Sequence, residues 1–220
     1  MGYGTAVFDM DGTILDTLDD LNDALNHTME RCGFPKRTLE ETRRFVGNGI
    51  RKLIERAVPE DVPDSEIDGI KDVFMEYYEA HCADKTRPYK GIPELIKSLK
   101  NAGVKTAVVS NKADVAVQEL CEEYFKGLFD VAIGERQGID RKPAPDMVNK
   151  ALEALFISDK RDAVYIGDSD VDLMTAKNSG LECIAVKWGF RDEAFLREHG
   201  AGILADAPED LYDLIVGNSG

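Results

Sequence analysis

The chain has 220 residues, 43% hydrophobic and 31% charged, the composition of an ordinary globular protein with room for one large domain or one domain carrying an insertion. At this length about 70% of the unfolded surface is buried on folding, so neither a disulfide nor a metal is needed merely to hold a core. Lys+Arg number 27 against 42 Asp+Glu, a formal charge of −15; such a field repels phosphate backbones and anionic headgroups, so neither nucleic acid nor a membrane is an expected partner.

Residues 5–8 read as a short, fully buried strand. The next comparable run, residues 106–109, comes far later than one crossover helix requires, so something is inserted between them. The insertion is helical: Leu18, Leu21, Leu25 and Met29 form a stripe, Thr38 to Glu41 has the form of a capping box, and 50–58 and 65–82 are further helical stretches. After residue 85, β-branched runs at 106–109, 131–133, 163–166 and 183–186 alternate with amphipathic segments at 93–102, 113–123, 146–156 and 172–179. Repeated βα units of this kind predict an α/β fold, a doubly wound parallel sheet. The expected division is a core of residues 1–16 and 84–220 with an all-helical subdomain at 17–83.

No apolar run nears the ~20 residues of a membrane span, and the first residues lack the succession of an export signal. A cytoplasmic monomer or homodimer is expected. Cys32, Cys82, Cys121 and Cys183 are widely spaced with no Cys-x-x-Cys, so they are expected reduced, buried and inert.

Phe8-Asp9-Met10-Asp11-Gly12-Thr13 sets two carboxylates at the end of the first strand. Alone, Asp-x-Asp-Gly is also a common turn former. Here the second strand ends in Ser110-Asn111-Lys112, a loop carries Lys142-Pro143, and the fourth strand ends in Gly167-Asp168-Ser169-Asp170-Val171-Asp172. Ligands of open α/β sheets bind at that edge. Unit charges ~4 Å apart interact by about 4 kcal/mol at an effective dielectric of ~20, so gathered carboxylates need a cation. Oxygen donors without His or Cys suit Mg²⁺, which commonly works with a substrate phosphate, and Lys142, Ser110 and turn N–H groups can hold phosphate oxygens. The chemistry implied is phosphoryl transfer. A calcium loop at Asp168 to Asp172 fails because Leu173 stands where glycine is required, and Gly47-Asn48-Gly49 is followed at position 52 by Lys, not the last glycine of a dinucleotide fingerprint.

These four motifs, in order, resemble those of haloacid dehalogenase superfamily phosphatases with a helical cap inserted after the first motif. The resemblance implies that Asp9 is a nucleophile forming an aspartyl phosphate and Asp11 the general acid and base. It implies that Ser110, Asn111 and Lys142 bind the phosphoryl group, that Asp9, Asp168 and the Asp11 carbonyl hold Mg²⁺, and that Asp172 and Gly12 support the site. Asp170 is read as a cap of the following helix or a metal ligand. Val46-Gly47-x-Gly49, Pro88-Tyr89-x-Gly91 and Lys187-Trp188-Gly189 are similar to the phosphoglycolate phosphatase branch, which makes a small phosphorylated carboxylate the expected substrate. Gly47, Asn48, Gly49 and Arg51 are then the candidate specificity residues, as a glycine-permitted helix start beside a cation. Pyrophosphate, sugar phosphates and mutase chemistry remain alternatives on the same core, and a phosphorylated receiver domain is disfavoured by the insertion.

Overall fold

A computed structural model of the chain describes residues 2–217. In chain order its elements are β1 (Thr5–Phe8), β2 (Leu15–Asp16), α1 (Leu18–Arg31), α2 (Leu39–Phe45), α3 (Ile50–Ala57), α4 (Asp64–His81), β3 (Arg87–Pro88), α5 (Ile92–Asn101), β4 (Lys105–Ala113), α6 (Asp114–Tyr124), β5 (Val131–Glu135), α7 (Asp146–Ala154), β6 (Ala163–Gly167), α8 (Asp170–Ser179), β7 (Glu182–Val186), α9 (Glu193–Glu198), β8 (Ile203–Ala205) and α10 (Pro208–Val216). The chain divides into two compact units, one of residues up to Leu15 together with those from Pro88 onward, the other Asp16–Arg87.

The first unit is an α/β layer structure around a six-stranded sheet of order β5-β4-β1-β6-β7-β8. Every pairing along it is parallel. Five of these strands were foreseen; the sixth, β8, is only three residues long, too short to give a periodicity. The order reverses at β1: the chain runs outward through β4 to β5, then returns to β6 on β1's other side. Right-handed crossovers therefore put α5 and α6 over one face and α7 and α8 over the other. Between α7, α8 and the sheet lies a core of Val7, Val109, Met147, Val148, Leu152 and Tyr165. Val7, Phe8, Val108, Val164 and Ile166 are all fully buried, as strands covered on both faces require.

The second unit packs α1 on α4 and α2, and α3 on α2 and α4. Leu21, Leu25 and Met29 of α1, Leu53 and Ile54 of α3 and Ile67, Ile70, Phe74 and Tyr78 of α4 are among its buried positions. The expected capping box forms: the Glu41 N–H donates to Thr38 Oγ1 at 3.2 Å and the Thr38 N–H to Glu41 Oε2 at 2.8 Å. This unit extends to Arg87, beyond the expected end at 83. The buried Asp20 carboxylate accepts from the backbone N–H groups of Lys85 (3.0 Å) and Thr86 (2.8 Å), tying those residues to α1. Tyr77 does not join Tyr78 in the core; its ring stacks between those of His27 and His81, with centroids 4.1 and 4.2 Å away.

All four cysteines are free and half-buried, not fully buried as expected. Among the described residues no helix is long and apolar enough to cross a membrane.

Candidate active site

Strand register gathers the polar residues. Phe8 is level with Val108 of β4 and Ile166 of β6, so Asp9 lies one residue past this row, and Ser110 and Asp168 two residues past it. Asp9 stays on β6, its N–H donating to the Ile166 carbonyl at 2.8 Å. On the other side, β4 and β5 pair at Val109↔Ile133 and next at Ala113↔Glu135. Four residues on β4 thus span two on β5, which lifts 110–112 out of the regular ladder. Irregularities of this kind re-aim side chains beside active sites, and all three of these residues bond within the site.

Lys142 is the hub. Its Nζ lies 2.6 Å from Asp9 Oδ1, 2.9 Å from Asp172 Oδ1 and 3.1 Å from the Tyr165 hydroxyl. The Asn111 side chain holds the Lys142 backbone from both sides: Asn111 Nδ2 donates to the Lys142 carbonyl at 3.0 Å, and the Lys142 N–H donates to Asn111 Oδ1 at 2.8 Å. Asn111, expected to bind phosphate, uses its amide to position Lys142, which precedes a cis peptide bond to Pro143.

Asp172 accepts from five donors. Lys142 and the Tyr165 hydroxyl (3.0 Å) share Oδ1, while the N–H groups of Asp168 and Ser169 (both 3.2 Å) and Ser169 Oγ (2.6 Å) share Oδ2. A carboxylate offers about four lone-pair sites, so Asp172 is saturated. Ser169 is the N-cap of α8, in a capping box with Asp172. Asp170 is therefore the first residue inside that helix, not its cap, and its Oδ1 lies 3.8 Å from Arg191 Nε.

Asp168 is 1% exposed. Its Oδ2 accepts from the Phe190 N–H at 2.6 Å, and two glycines close on it. A Cβ on Gly12, whose φ is +83°, would come within 2.3 Å of Asp168 Oδ2, and one on Gly189 within 2.3 Å of Asp168 Cβ. Only glycine lets the backbone approach so closely.

Asp9, Asp168 and Asp172 each offer an oxygen within 4.8 Å of the others, with one ammonium among them. Burial, then the Asp172 carboxylate, push the Asp9 carboxyl from 3.8 up to about 7, although Lys142 pulls the other way. The same causes, burial first, raise Asp168 well above the carboxylate range. Burial alone would lower Lys142, but Asp172 and Asp9 outweigh it and raise it. The cluster is short of positive charge. With Asp172 saturated, Asp9 and Asp168 are the donors left for a cation, and an all-oxygen set fits a hard divalent ion.

Asp11, less buried than Asp9, pairs through Oδ1 with Lys112 Nζ at 3.2 Å. Neither Lys112 nor Tyr165 stood among the expected site residues; Tyr165 sits inside an apolar strand run, where only its hydroxyl betrays a polar role.

Gly47, Asn48, Gly49 and Arg51 all belong to the helical unit. Gly49, with φ +83°, is the N-cap of α3, and Asn48 Oδ1 accepts from Arg56 Nη2 at 2.5 Å. Arg51, expected to meet the substrate, pairs with Glu55, with Asp64 at 3.0 Å and with Asp68 at 3.2 Å. Its guanidinium is already bound to three carboxylates of its own unit.

The haloacid dehalogenase-like hydrolase family profile matches residues 6–186. A phosphoglycolate phosphatase of Mesorhizobium japonicum is 34% identical, the match covering 84% of this chain and 83% of the relative. An N-acetylmuramic acid 6-phosphate phosphatase of Pseudomonas aeruginosa is 29% identical over 98% of this chain and 96% of its own. A crystal structure from Lactobacillus delbrueckii subsp. bulgaricus, provisionally named a phosphoglycolate phosphatase, superposes with a TM-score of 0.96 at 44% identity, over 99% of this chain and 100% of that one. With this sheet, these strand ends and a profile match over most of its length, the chain belongs to the haloacid dehalogenase-like hydrolase family, as a phosphatase.

Proposed function

We propose that the protein hydrolyses a small phosphorylated carboxylate, of which 2-phosphoglycolate is the simplest, in a Mg²⁺-dependent reaction through an aspartyl phosphate on Asp9. The observation that carries this reading is the buried Asp9–Lys142–Asp172 cluster with Asp168 beside it, short of one cation at the sheet edge where the strand order reverses.

Asp9 attacks phosphorus in its carboxylate form; the P–O bond to the leaving group breaks, and Asp11 gives that oxygen its proton. Asp11 then takes a proton from water, which attacks the phosphorylated Asp9 and releases inorganic phosphate. Lys142, held by Asp172, Tyr165 and the Asn111 clamp, keeps its ammonium on the attacking carboxylate and on the phosphoryl oxygens, where most of the catalytic stabilisation is needed. Ser110 Oγ offers a further donor to those oxygens. Asp9, Asp168 and the Asp11 carbonyl would hold Mg²⁺, which when bound neutralises phosphoryl charge.

The substrate class comes from the relatives called phosphoglycolate phosphatases. The experiment is phosphate release after chelation, with and without added Mg²⁺, across 2-phosphoglycolate, 2-hydroxyethyl phosphate, N-acetylmuramic acid 6-phosphate, a hexose phosphate and pyrophosphate. Activity should vanish with chelator, return with Mg²⁺ and be highest in kcat/KM on 2-phosphoglycolate. Full activity in chelator refutes the cation, and preference for another substrate on that panel refutes the substrate class.

A further inference from the structure

We propose that Lys112 is the specificity-determining cation of the α/β unit, recognising a carboxylate carried by the leaving group close to its ester oxygen. This rests on the reading of Asp11 as the residue that meets that oxygen.

Three features place Lys112 there. Its side chain is only 7% exposed, and a lysine so buried requires an anionic partner. Asp11 is such a partner, 3.2 Å away, so a leaving-group oxygen that reaches Asp11 comes next to the same ammonium. The residue also lies in the β4 irregularity with Ser110, and its N–H donates to Ser110 Oγ at 3.1 Å, which fixes it in the loop offered to the phosphoryl group.

Lys142 sits among Asp9, Asp172 and Tyr165 on the nucleophile side, and Arg51 among Glu55, Asp64 and Asp68. A second anion brought next to Asp11 on a protein of charge −15 would be repelled unless a fixed positive charge met it. In 2-phosphoglycolate a single methylene separates ester oxygen from carboxylate, so both can address Asp11 and Lys112 together; a longer spacer carries the carboxylate past them.

The test is steady-state kinetics with Mg²⁺ on wild type, Lys112→Met and Lys112→Arg. Substrates are 2-phosphoglycolate, 2-hydroxyethyl phosphate, an ester with an uncharged leaving group and in that sense the uncharged ester, and a butanoate phosphate ester whose carboxylate lies farther from the phosphate. Wild type should favour 2-phosphoglycolate over both. Lys112→Met should cost about 10- to 100-fold more kcat/KM on 2-phosphoglycolate than on the uncharged ester, the worth of one charge-assisted contact, and Lys112→Arg should keep most of the preference. Equal losses on both short esters in Lys112→Met would make Lys112 only a support for Asp11, overturning the inference while the proposed function stands. A wild type without preference for 2-phosphoglycolate overturns both. A wild type that favours the long carboxylate ester as strongly as the short one overturns the inference even if the methionine variant does not fold.

Discussion

In the α/β unit Asp9, Lys142, Asp168 and Asp172 are each at most 8% exposed, drawn from strand ends, a loop and the first turn of α8 and bonded to one another or to backbone N–H groups. In the helical unit Arg51 meets Glu55 one turn along its own helix and two largely exposed acids, Asp64 and Asp68. Sheet topology collects charge out of water, where interactions are strong and unpaired groups costly; a small helical bundle leaves charge on its surface, where solvent screens it. Substitutions should therefore act steeply in the first unit and weakly in the second.

The largest effect expected is Asp9→Asn, which removes the proposed nucleophile and should cut turnover by on the order of 10⁴-fold or more, with the fold intact by circular dichroism. It also carries a pH signature. In the metal-free protein the Asp9 carboxyl titrates near 7 and not near 3.8, so between these values the folded state holds a proton that the unfolded state has lost. Its stability contribution is full below pH 3.8 and is lost as pH rises through about 7. In chelator, the Tm of Asp9→Asn relative to wild type should thus climb from pH 4 to 7 and level above. A difference flat across that range would mean that Asp9 is not held protonated by its neighbours.

Next comes Asp172→Asn. Five donors converge on Asp172, so an amide, whichever way it turns, points its NH₂ at some of them. Breaking one side of a buried ion pair costs about 3–5 kcal/mol, a Tm fall on the order of 10 °C in a chain of this size, with turnover falling as Lys142 loses its anchor. A fall below about 3 °C by calorimetry would show that the network relaxes around the amide.

The same contrast governs what could be read from sequence. Asp9, Asp11, Ser110 and Asp168 could be picked out because each follows a strand within a short motif, and Lys142 because it precedes a proline in a loop between a strand and a helix. Lys112 was quoted with its strand end but given no role, since its pairing with Asp11 depends on how residues 110–112 leave the β4–β5 ladder, which no local pattern records. That Asn111 also holds the backbone of Lys142 was not legible, because the two lie 31 positions apart. The acids that pair with Arg51 were not legible from its own segment, because two of them, Asp64 and Asp68, belong to the next helix. The α9 and α10 helices and β8 were not foreseen; β8 is three residues long and joins the sheet only through its register with β7.

A smaller effect is expected from Gly189→Ala. The added Cβ would sit 2.3 Å from Asp168 Cβ and 2.5 Å from the Gly12 carbonyl oxygen, so the loop must move and take with it the Phe190 N–H that holds Asp168. Overpacking of this kind costs about 1–3 kcal/mol, and if Asp168 holds the proposed cation, disturbing its support costs about 10- to 100-fold in affinity or activity. Raising Mg²⁺ should recover part of the lost turnover; if turnover falls without any change in Mg²⁺ dependence, Asp168 is not the group displaced.

The smallest effect should follow Arg51→Ala, the substitution on which the contrast between the units rests most directly. Arg51 has three carboxylate partners, yet its side chain is 35% exposed and those of Asp64 and Asp68 83% and 68%; in high dielectric such pairs gain little over their hydrated components. The Tm should drop by no more than about 2–4 °C. On 2-phosphoglycolate and on the uncharged ester kcat/KM should stay within about threefold of wild type, whereas Lys112→Met separates the two substrates. Raising salt to ~1 M should reduce the Tm difference further, because exposed pairs are screened within ~3 Å at that ionic strength. If Arg51→Ala instead lost tenfold or more on 2-phosphoglycolate alone, the guanidinium would have to leave its acids for the substrate, and the helical unit would contribute charge to recognition after all.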